Sequence, residues 1–307
     1  MATKPQVLPA DTMNEYPPPV LSGGRRFLAE GDSWFTLGTL KGSSLSNLLF
    51  ELELSSSTQI LNCAYPGDTL QHMVDSVERS VFNKLLYLPG FKHQWDAILL
   101  SAGGNDFIDA TRAPLMDQHG NPTSADQRIL LRPDEVENST VTGPERYVST
   151  AGWLTLTRYL LQNFHTVANR RDQGQNRERP IFVHTYAKPT VRPSGVMPWD
   201  KGWLYPAFKK YGVPSEFRQQ VCDYLFEKLR LFMLSLDQDS GSSNAIAKLH
   251  VFDSASIAEI RPAEPDKKGK SGDWINEIHL TPKGYRKLGK EFGRMIEKVL
   301  KTYPTRS

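Results

Sequence analysis

The chain has 307 residues, and its 37 lysines and arginines against 34 aspartates and glutamates give a formal charge of +3. This length allows one large domain or two small ones, each with a hydrophobic core. The composition, 39% hydrophobic and 23% charged, excludes collagen-like, coiled-coil and wholly disordered chains. The small charge gives no indication of a nucleic-acid partner, and no apolar run approaches the roughly 18 residues of a membrane span.

The first 24 residues contain five prolines and no apolar stretch of the kind that a secretory signal requires. We therefore expect a proline-rich tail over residues 1–24 and a cytoplasmic protein, with leaderless export left open. The two cysteines, Cys63 and Cys222, are too few for a disulfide framework, so reduced thiols are expected.

After this tail, short β-rich segments alternate with longer helical patterns. The predicted strands are residues 26–30, 59–63, 96–101, 181–186 and 249–253. Several of them are apolar without alternation, as is typical of parallel strands that are covered on both faces. The alternation predicts an α/β fold, a three-layer αβα sandwich around a five-stranded parallel sheet, with the functional site at the carboxyl ends of the strands.

The predicted helices cover residues 69–88, 145–169 and 215–236, and one more helix ends the chain. That last helix has the clearest start, with Thr281 suited to the N-cap and Pro282 to the first helical position. Two long segments, residues 107–144 and 188–214, interrupt the pattern. Because long loops in compact domains are often functional, we interpret them as a possible lid or substrate wall.

Three polar segments follow predicted strands. Ser33 comes after Gly31 and Asp32, and a serine on a tight strand-to-helix turn exposes its hydroxyl group. Gly67 lies in a loop before a helix, where its N–H can point at an anion. Asn105 follows two glycines and offers an amide donor of the kind found in oxyanion holes. Taken singly, each segment also fits an ordinary turn with a helix cap.

A fourth segment ends at His279, directly before the last helix. This histidine can serve as a general base if it lies within hydrogen-bond reach of Ser33. The short basic loop of Lys267, Lys268 and Lys270 is a weaker signal, since three lysines seldom decide whether a substrate is anionic. The sequence contains no metal-ligand spacing and no phosphate-binding loop, so we expect no metal and no cofactor.

In chain order, these four segments resemble the blocks of the SGNH (GDSL-type) hydrolase family, which carry a Ser, a Gly, an Asn and a His. The matching residues are Ser33, Gly67, Asn105 and His279. The resemblance implies a flavodoxin-like fold with Ser33 as nucleophile and His279 as proton carrier. It also implies an oxyanion hole made of the Ser33 N–H, the Gly67 N–H and the Asn105 side chain. Since residues 33 and 279 share this site, one domain is expected over residues 25–307.

The sequence departs from the family at the acidic member of the site. The family usually has an aspartate three residues before the histidine, and this chain has Asn276 there. Three possibilities remain open: Asn276 orients His279, a backbone carbonyl does so, or Asp273 supplies a carboxylate. Glu277 is the least favoured candidate, because adjacent side chains in an extended segment point in different directions.

Aromatic residues flank the four segments: Trp34, Tyr65, Phe107 and Trp274. They predict an apolar substrate subsite, although packing at strand ends would also account for them. The resulting hypothesis is a serine esterase or lipase acting on a small-molecule or glycan ester, with short-acyl, lipid and carbohydrate acetyl esters as the candidates. Two alternatives are an acyltransferase to a sugar or lipid alcohol, and a catalytically degenerate binding module of the same fold.

Overall fold

The structure is a computed structural model, and it describes residues 2–14, 24–39, 44–75, 81–88 and 93–304. In this part of the chain, six strands form one sheet in the order β1-β3-β2-β4-β5-β6, with every neighbouring pair parallel. The strands are β1 (Gln6–Pro9), β2 (Arg25–Gly31), β3 (Thr58–Asn62), β4 (Ala97–Ser101), β5 (Ile181–His184) and β6 (Leu249–Phe252).

Helices connect these strands, and the longer ones cover the sheet. They are α1 (Ser33–Thr36), α2 (Leu70–Asp75), α3 (Val81–Tyr87), α4 (Gly104–Thr111), α5 (Pro133–Glu137), α6 (Thr150–Gln173), α7 (Leu204–Lys210), α8 (Ser215–Ser235) and α9 (Pro282–Leu300). Every residue of β4, β5 and β6 is buried, which explains why these strands are apolar without alternation. The predicted α/β class with a parallel sheet is therefore confirmed.

The sheet has one strand more than predicted. The additional strand, β1, lies inside the segment that the sequence predicts to be a tail, and it pairs in parallel with β3 at the edge of the sheet. Only Val7 and Leu8 supply an apolar signal, which is too short to stand out among prolines. Pro9 fits because an edge strand tolerates a residue without a backbone donor. Pro5 directly precedes β1, and the prolines at 17–19 lie outside the described residues.

The predicted helices are displaced or divided in places. The single helix predicted over residues 69–88 corresponds to α2 and α3, with residues 76–80 outside the description. The two segments predicted as loops contain short helices, namely the end of α4 and all of α5 in the first and α7 in the second. These helices are only 5–8 residues long, so they show little periodicity in the sequence.

The last helix fixes the position of the segment that precedes it. The Thr281 hydroxyl accepts a hydrogen bond from Gly284 N at 3.1 Å, which confirms the predicted N-cap. Tyr285, Leu288 and Phe292 are fully buried on one face of α9. Cys63 and Cys222 are both free thiols. No helix among the described residues has the length and apolar character that crossing a membrane would need.

Candidate active site

Ser33 lies on a turn that begins where β2 ends. The preceding residue, Asp32, caps the short helix α1 by accepting a hydrogen bond from Trp34 N at 2.9 Å. The same carboxyl group accepts hydrogen bonds from Ser101 Oγ at 2.7 Å and from Tyr186 OH at 2.6 Å. Burial raises the pKa of Asp32 to about 6, against the effect of these donors. The buried carboxyl group thus ties the Ser33 turn to residues from β4 and from the segment after β5.

The Ser33 hydroxyl group contacts His279, although the two residues are 246 positions apart in the chain. The distance from Ser33 Oγ to His279 Nε2 is 2.7 Å. On the other side of the ring, His279 Nδ1 lies 3.1 Å from Asn276 Oδ1. An amide oxygen can only accept, so Nδ1 carries the hydrogen and Nε2 is free to accept the serine proton.

Two further contacts determine which atom of the Asn276 amide faces the ring. Asn276 Oδ1 accepts hydrogen bonds from Ile278 N at 3.1 Å and from His279 N at 2.9 Å. Because backbone N–H groups are donors, the atom that they meet is the oxygen and not the NH₂ group. Burial lowers the pKa of His279 to about 4, so its ring is neutral at neutral pH.

The structure does not bring Asp273 to His279. The Asp273 carboxylate lies 2.5 Å from Lys287 Nζ and accepts a hydrogen bond from Arg261 N at 2.8 Å. The position beside Nδ1 is occupied by the Asn276 amide instead of by a backbone carbonyl. Of the three possibilities for the partner of His279, the geometry therefore corresponds to Asn276.

Two of the predicted oxyanion donors, Gly67 and Asn105, follow β3 and β4, the strands on either side of β2. Asn105, in the first turn of α4, lines the same cavity as Ser33. Its Nδ2 donates to Asp68 O at 2.9 Å, and this bond fixes the loop that contains Gly67. Gly67 has a φ of +84°, a conformation that favours glycine, and it is exposed in that loop without lining the cavity.

The cavity beside Ser33 is small and mostly apolar. Its volume is about 20 Å³, which is enough for one water-sized group. Its apolar lining includes Phe107, Ile108, Pro189, Phe226, Leu229 and Ile278. The sequence predicts only Phe107 among these, because Phe226 and Leu229 belong to the apolar stripe of α8 and are indistinguishable there from core residues.

The predicted aromatic subsite is correct only in part. Trp34 lines the cavity together with Phe107. Tyr65 is 67% exposed and does not line it, because its side chain lies on the outside of the Gly67 loop. Trp274 is also absent from the lining, since it is buried in the bridged turn before α9. An aromatic residue that the sequence analysis missed is Trp203, whose ring lies edge-on to His279 with centroids 5.5 Å apart.

Glu277 holds Trp203 in place, a role that the sequence analysis did not identify. This fully buried carboxylate accepts hydrogen bonds from the backbone N–H groups of Trp203, Leu204 and Tyr205 at 2.5 to 2.8 Å. Burial raises the pKa of Glu277 to about 7, although these N–H groups lower it. Gly202 has to be glycine here, because a Cβ atom would lie 2.4 Å from Glu277 Oε2.

Arg192 completes this connection between two distant segments. Its buried guanidinium group donates to Asn276 O at 2.6 Å and to the carbonyl oxygens of Lys267 and Gly269. We call Arg192 and Glu277 the clamp, because together they join the segment before α7 to the turn that carries His279. The clamp therefore positions one wall of the site against the histidine.

We expect Glu277→Ala to lower the free energy of unfolding by about 1–3 kcal/mol, because it leaves the backbone N–H groups of Trp203, Leu204 and Tyr205 without their acceptor. Urea denaturation at about pH 6 measures this change, since burial raises the pKa of Glu277 to about 7 and ionisation at higher pH itself lowers the stability of the native protein. Glu264→Ala, at an exposed glutamate, is the matched control and should change the stability little. Equal stabilities of Glu277→Ala and the native protein would contradict the clamp.

No family model matches the sequence, and a comparison with curated proteins finds no match. Solved structures that are similar to this chain include a carbohydrate acetylesterase, a putative GDSL-like lipase, a phospholipase and an acyltransferase. A carbohydrate acetylesterase from Sinorhizobium meliloti is 12% identical with a TM-score of 0.37, and 90% of this chain and 99% of that one are covered.

Phospholipase A1 from Streptomyces albidoflavus is also 12% identical, with a TM-score of 0.42 and coverage of 92% of this chain and 100% of that one. A salicylyl-acyltransferase from a tetracycline biosynthetic pathway is 14% identical with a TM-score of 0.39, covering 93% of this chain and 57% of that one. The activities of these proteins differ from one another. The function of this chain therefore has to be argued from its own site.

Proposed function

We propose that the protein is a serine hydrolase that cleaves carboxylic esters through an acyl-enzyme on Ser33. The observation that carries this proposal is the continuous hydrogen-bonded path from Ser33 Oγ through the His279 ring to Asn276 Oδ1, with distances of 2.7 and 3.1 Å. A serine hydroxyl group is a weak nucleophile unless a base takes its proton, and a neutral imidazole at this distance supplies that base.

In the first half of the reaction, Ser33 Oγ attacks the ester carbonyl carbon and its proton passes to His279 Nε2. The carbonyl oxygen becomes an oxyanion, for which the Ser33 N–H, the Gly67 N–H and the Asn105 amide are the donors; removal of one such donor costs about 2.7–4 kcal/mol in known hydrolases. His279 then donates the proton to the departing alcohol. In the second half, water attacks the acyl group and the same proton steps release the acid.

Asn276 takes the position in which a carboxylate would usually lie. Its carbonyl oxygen fixes the ring orientation and the Nδ1–H tautomer, but a neutral amide stabilises the imidazolium less than a carboxylate does. We therefore describe the site as a Ser–His pair oriented by an amide. The intact Ser33–His279 contact supports an enzyme over a degenerate binding module.

A fluorophosphonate probe tests the proposal directly, because it reacts only with an activated serine. The native protein should be labelled, and Ser33→Ala and His279→Ala should both lose the labelling. Ser240→Ala serves as a control, since Ser240 is exposed after α8 and does not line the cavity. A folded native protein that is not labelled would exclude the hydrolase. If the native protein is labelled, product analysis with added alcohols separates hydrolysis from acyl transfer.

The identity of the His279 partner predicts an unusual pH profile. The general base must be neutral, so activity is lost as the pH falls through the pKa of His279, which burial lowers to about 4. Asn276→Asp places a carboxylate next to Nδ1 and stabilises the imidazolium. We expect the acid limb of kcat/KM to move upward by about 1–3 pH units. Asp273→Asn should leave the acid limb at the pH of the native protein. If Asn276→Asp also leaves it there, Asn276 is not the partner of His279.

The small cavity beside Ser33 favours a short acyl group among the candidate substrates. A volume of about 20 Å³ accommodates an acetyl methyl group, whereas a longer chain has to displace the packed side chains of α4 and α8. Of the esters considered from the sequence, acetyl esters of small molecules or glycans therefore fit best, and long-chain lipid esters fit worst.

We expect kcat/KM for p-nitrophenyl acetate to exceed that for the octanoate by about 10- to 100-fold, which corresponds to an overpacking cost of about 1–3 kcal/mol. Leu229→Ala removes part of the cavity wall and should shift the preference toward longer chains. Leu231→Ala is the matched control on the same helix, since Leu231 is 56% exposed. Equal rates for acetate and octanoate in the native protein would contradict the short-acyl assignment.

A further inference from the structure

A second concave region lies on the other side of the turn that carries His279. It consists of two adjoining cavities of about 620 and 350 Å³, which share Pro193 and Lys268 in their walls. The larger one is lined by Lys201, Lys209, Lys210 and Lys268 and contains no acidic residue in its wall. These volumes are in the range of ligand-binding clefts. We call this region the lysine cleft.

The positive charges of the lysine cleft are largely uncompensated. Lys201, Lys209 and Lys268 are exposed and form no ion pair with any carboxylate in the described part of the chain. The fourth lysine, Lys210, donates to the carbonyl oxygens of Arg112 and Ala113, so it also has no acidic partner. The whole chain has a net charge of only +3, so the four lysines of the cleft form a local concentration of positive charge.

The smaller cavity brings the lysine cleft close to the candidate active site. Ile275 lines this cavity, whereas Ile278 lines the acyl cavity beside Ser33. Three residues span at most about 11 Å. The backbone between them is also fixed, because Ile275 N donates to His279 O at 2.9 Å. The two cavities therefore lie on the same short turn, within the length of one extended substrate molecule.

An exposed aromatic side chain stands at the edge of the cleft. Trp199 is 79% exposed, and its neighbours in sequence, Pro198 and Asp200, line the smaller cavity. Asp200 holds this loop by accepting hydrogen bonds from the N–H groups of Val196 and Gly202. An indole ring on a braced loop offers a flat apolar face, on which the C–H face of a sugar ring can stack.

We infer that the lysine cleft binds the alcohol part of the ester substrate, and that this part is an anionic oligosaccharide. The inference rests on the proposed function and specifies its substrate class: an O-acetylated glycan with carboxylate groups. The acetyl group enters the small cavity at Ser33, the sugar stacks on Trp199, and the lysines pair with the carboxylates. The concave shape favours a chain molecule over a flat membrane, and the acyl cavity has no room for a lipid chain.

The test measures binding to Ser33→Ala protein, so that it does not depend on catalysis. Hexagalacturonate is the anionic probe, and cellohexaose is its neutral counterpart. By isothermal titration calorimetry, we expect hexagalacturonate to bind, to lose affinity as salt is added, and to bind about three- to tenfold more weakly to Lys209→Gln/Lys268→Gln. Lys290→Gln/Lys301→Gln removes the same charge from exposed positions on and next to α9 and should bind as tightly as the parent.

Three outcomes would overturn the inference. Hexagalacturonate could fail to bind, the two double variants could bind it equally well, or cellohexaose could bind as tightly as the anionic probe. Co-sedimentation with phosphatidylglycerol vesicles adds a further arm, in which binding to vesicles without binding to hexagalacturonate would identify a membrane-docking surface instead. A failure of the hydrolase proposal is recognised separately, because it abolishes fluorophosphonate labelling of the native protein and leaves sugar binding unaffected.

Discussion

The geometry of the site depends on one side-chain oxygen. Asn276 Oδ1 accepts three hydrogen bonds, from Ile278 N, His279 N and His279 Nδ1. The two backbone contacts fix the shape of the turn, and the third fixes the rotation of the imidazole. Because all three converge on the same atom, the turn and the ring cannot be oriented independently. The contact between His279 and Ser33 follows from this arrangement.

An amide suits this position for reasons of solvation. Asn276 and His279 are both about 4% exposed, and the cation nearest to the turn, Arg192, donates its hydrogen bond to the Asn276 backbone oxygen. A carboxylate in the same place would bring a buried charge whose desolvation only the imidazolium and the N–H groups of Ile278 and His279 could offset. With an amide, the resting pair is neutral. The His279 ring therefore remains unprotonated over most of the pH range. When the ring takes a proton, the amide stabilises the imidazolium less than a carboxylate would.

The parts of the site that could be predicted are those that strand ends determine. Asn105 follows a wholly buried strand and Ser33 follows a strand with an apolar centre at Phe27, Leu28 and Ala29, and parallel strands bring their carboxyl ends to one edge of the sheet. The start of the last helix was predictable as well, because Thr281 and Pro282 are local signals, and with it came the position of His279. Predicting these residues required no knowledge of contacts between distant parts of the chain.

The remaining features depend on contacts that no local pattern encodes. Glu277 binds backbone groups some 70 positions away, so its neighbours in sequence say nothing about its role. The same contact holds the backbone of Trp203, whose ring lies against His279. Strand β1 is four residues long, and its pairing with β3 joins segments that are separated by about fifty residues. The sequence also predicted too much. Tyr65 and Trp274 lie close to the motifs in the sequence, but neither side chain lines the cavity.

The turn that carries His279 separates two spaces of very different size, to which the proposed function assigns the acyl group and the alcohol of one ester. On one side, about 20 Å³ beside the nucleophile admits only a small group. On the other side, the larger cavity of about 620 Å³ is lined by lysines. The clamp of Arg192 and Glu277 joins this turn to the segments around Lys267 and Trp203, which border the larger cavity. Under the proposed function, recognition of the alcohol would therefore depend on the same turn that orients His279.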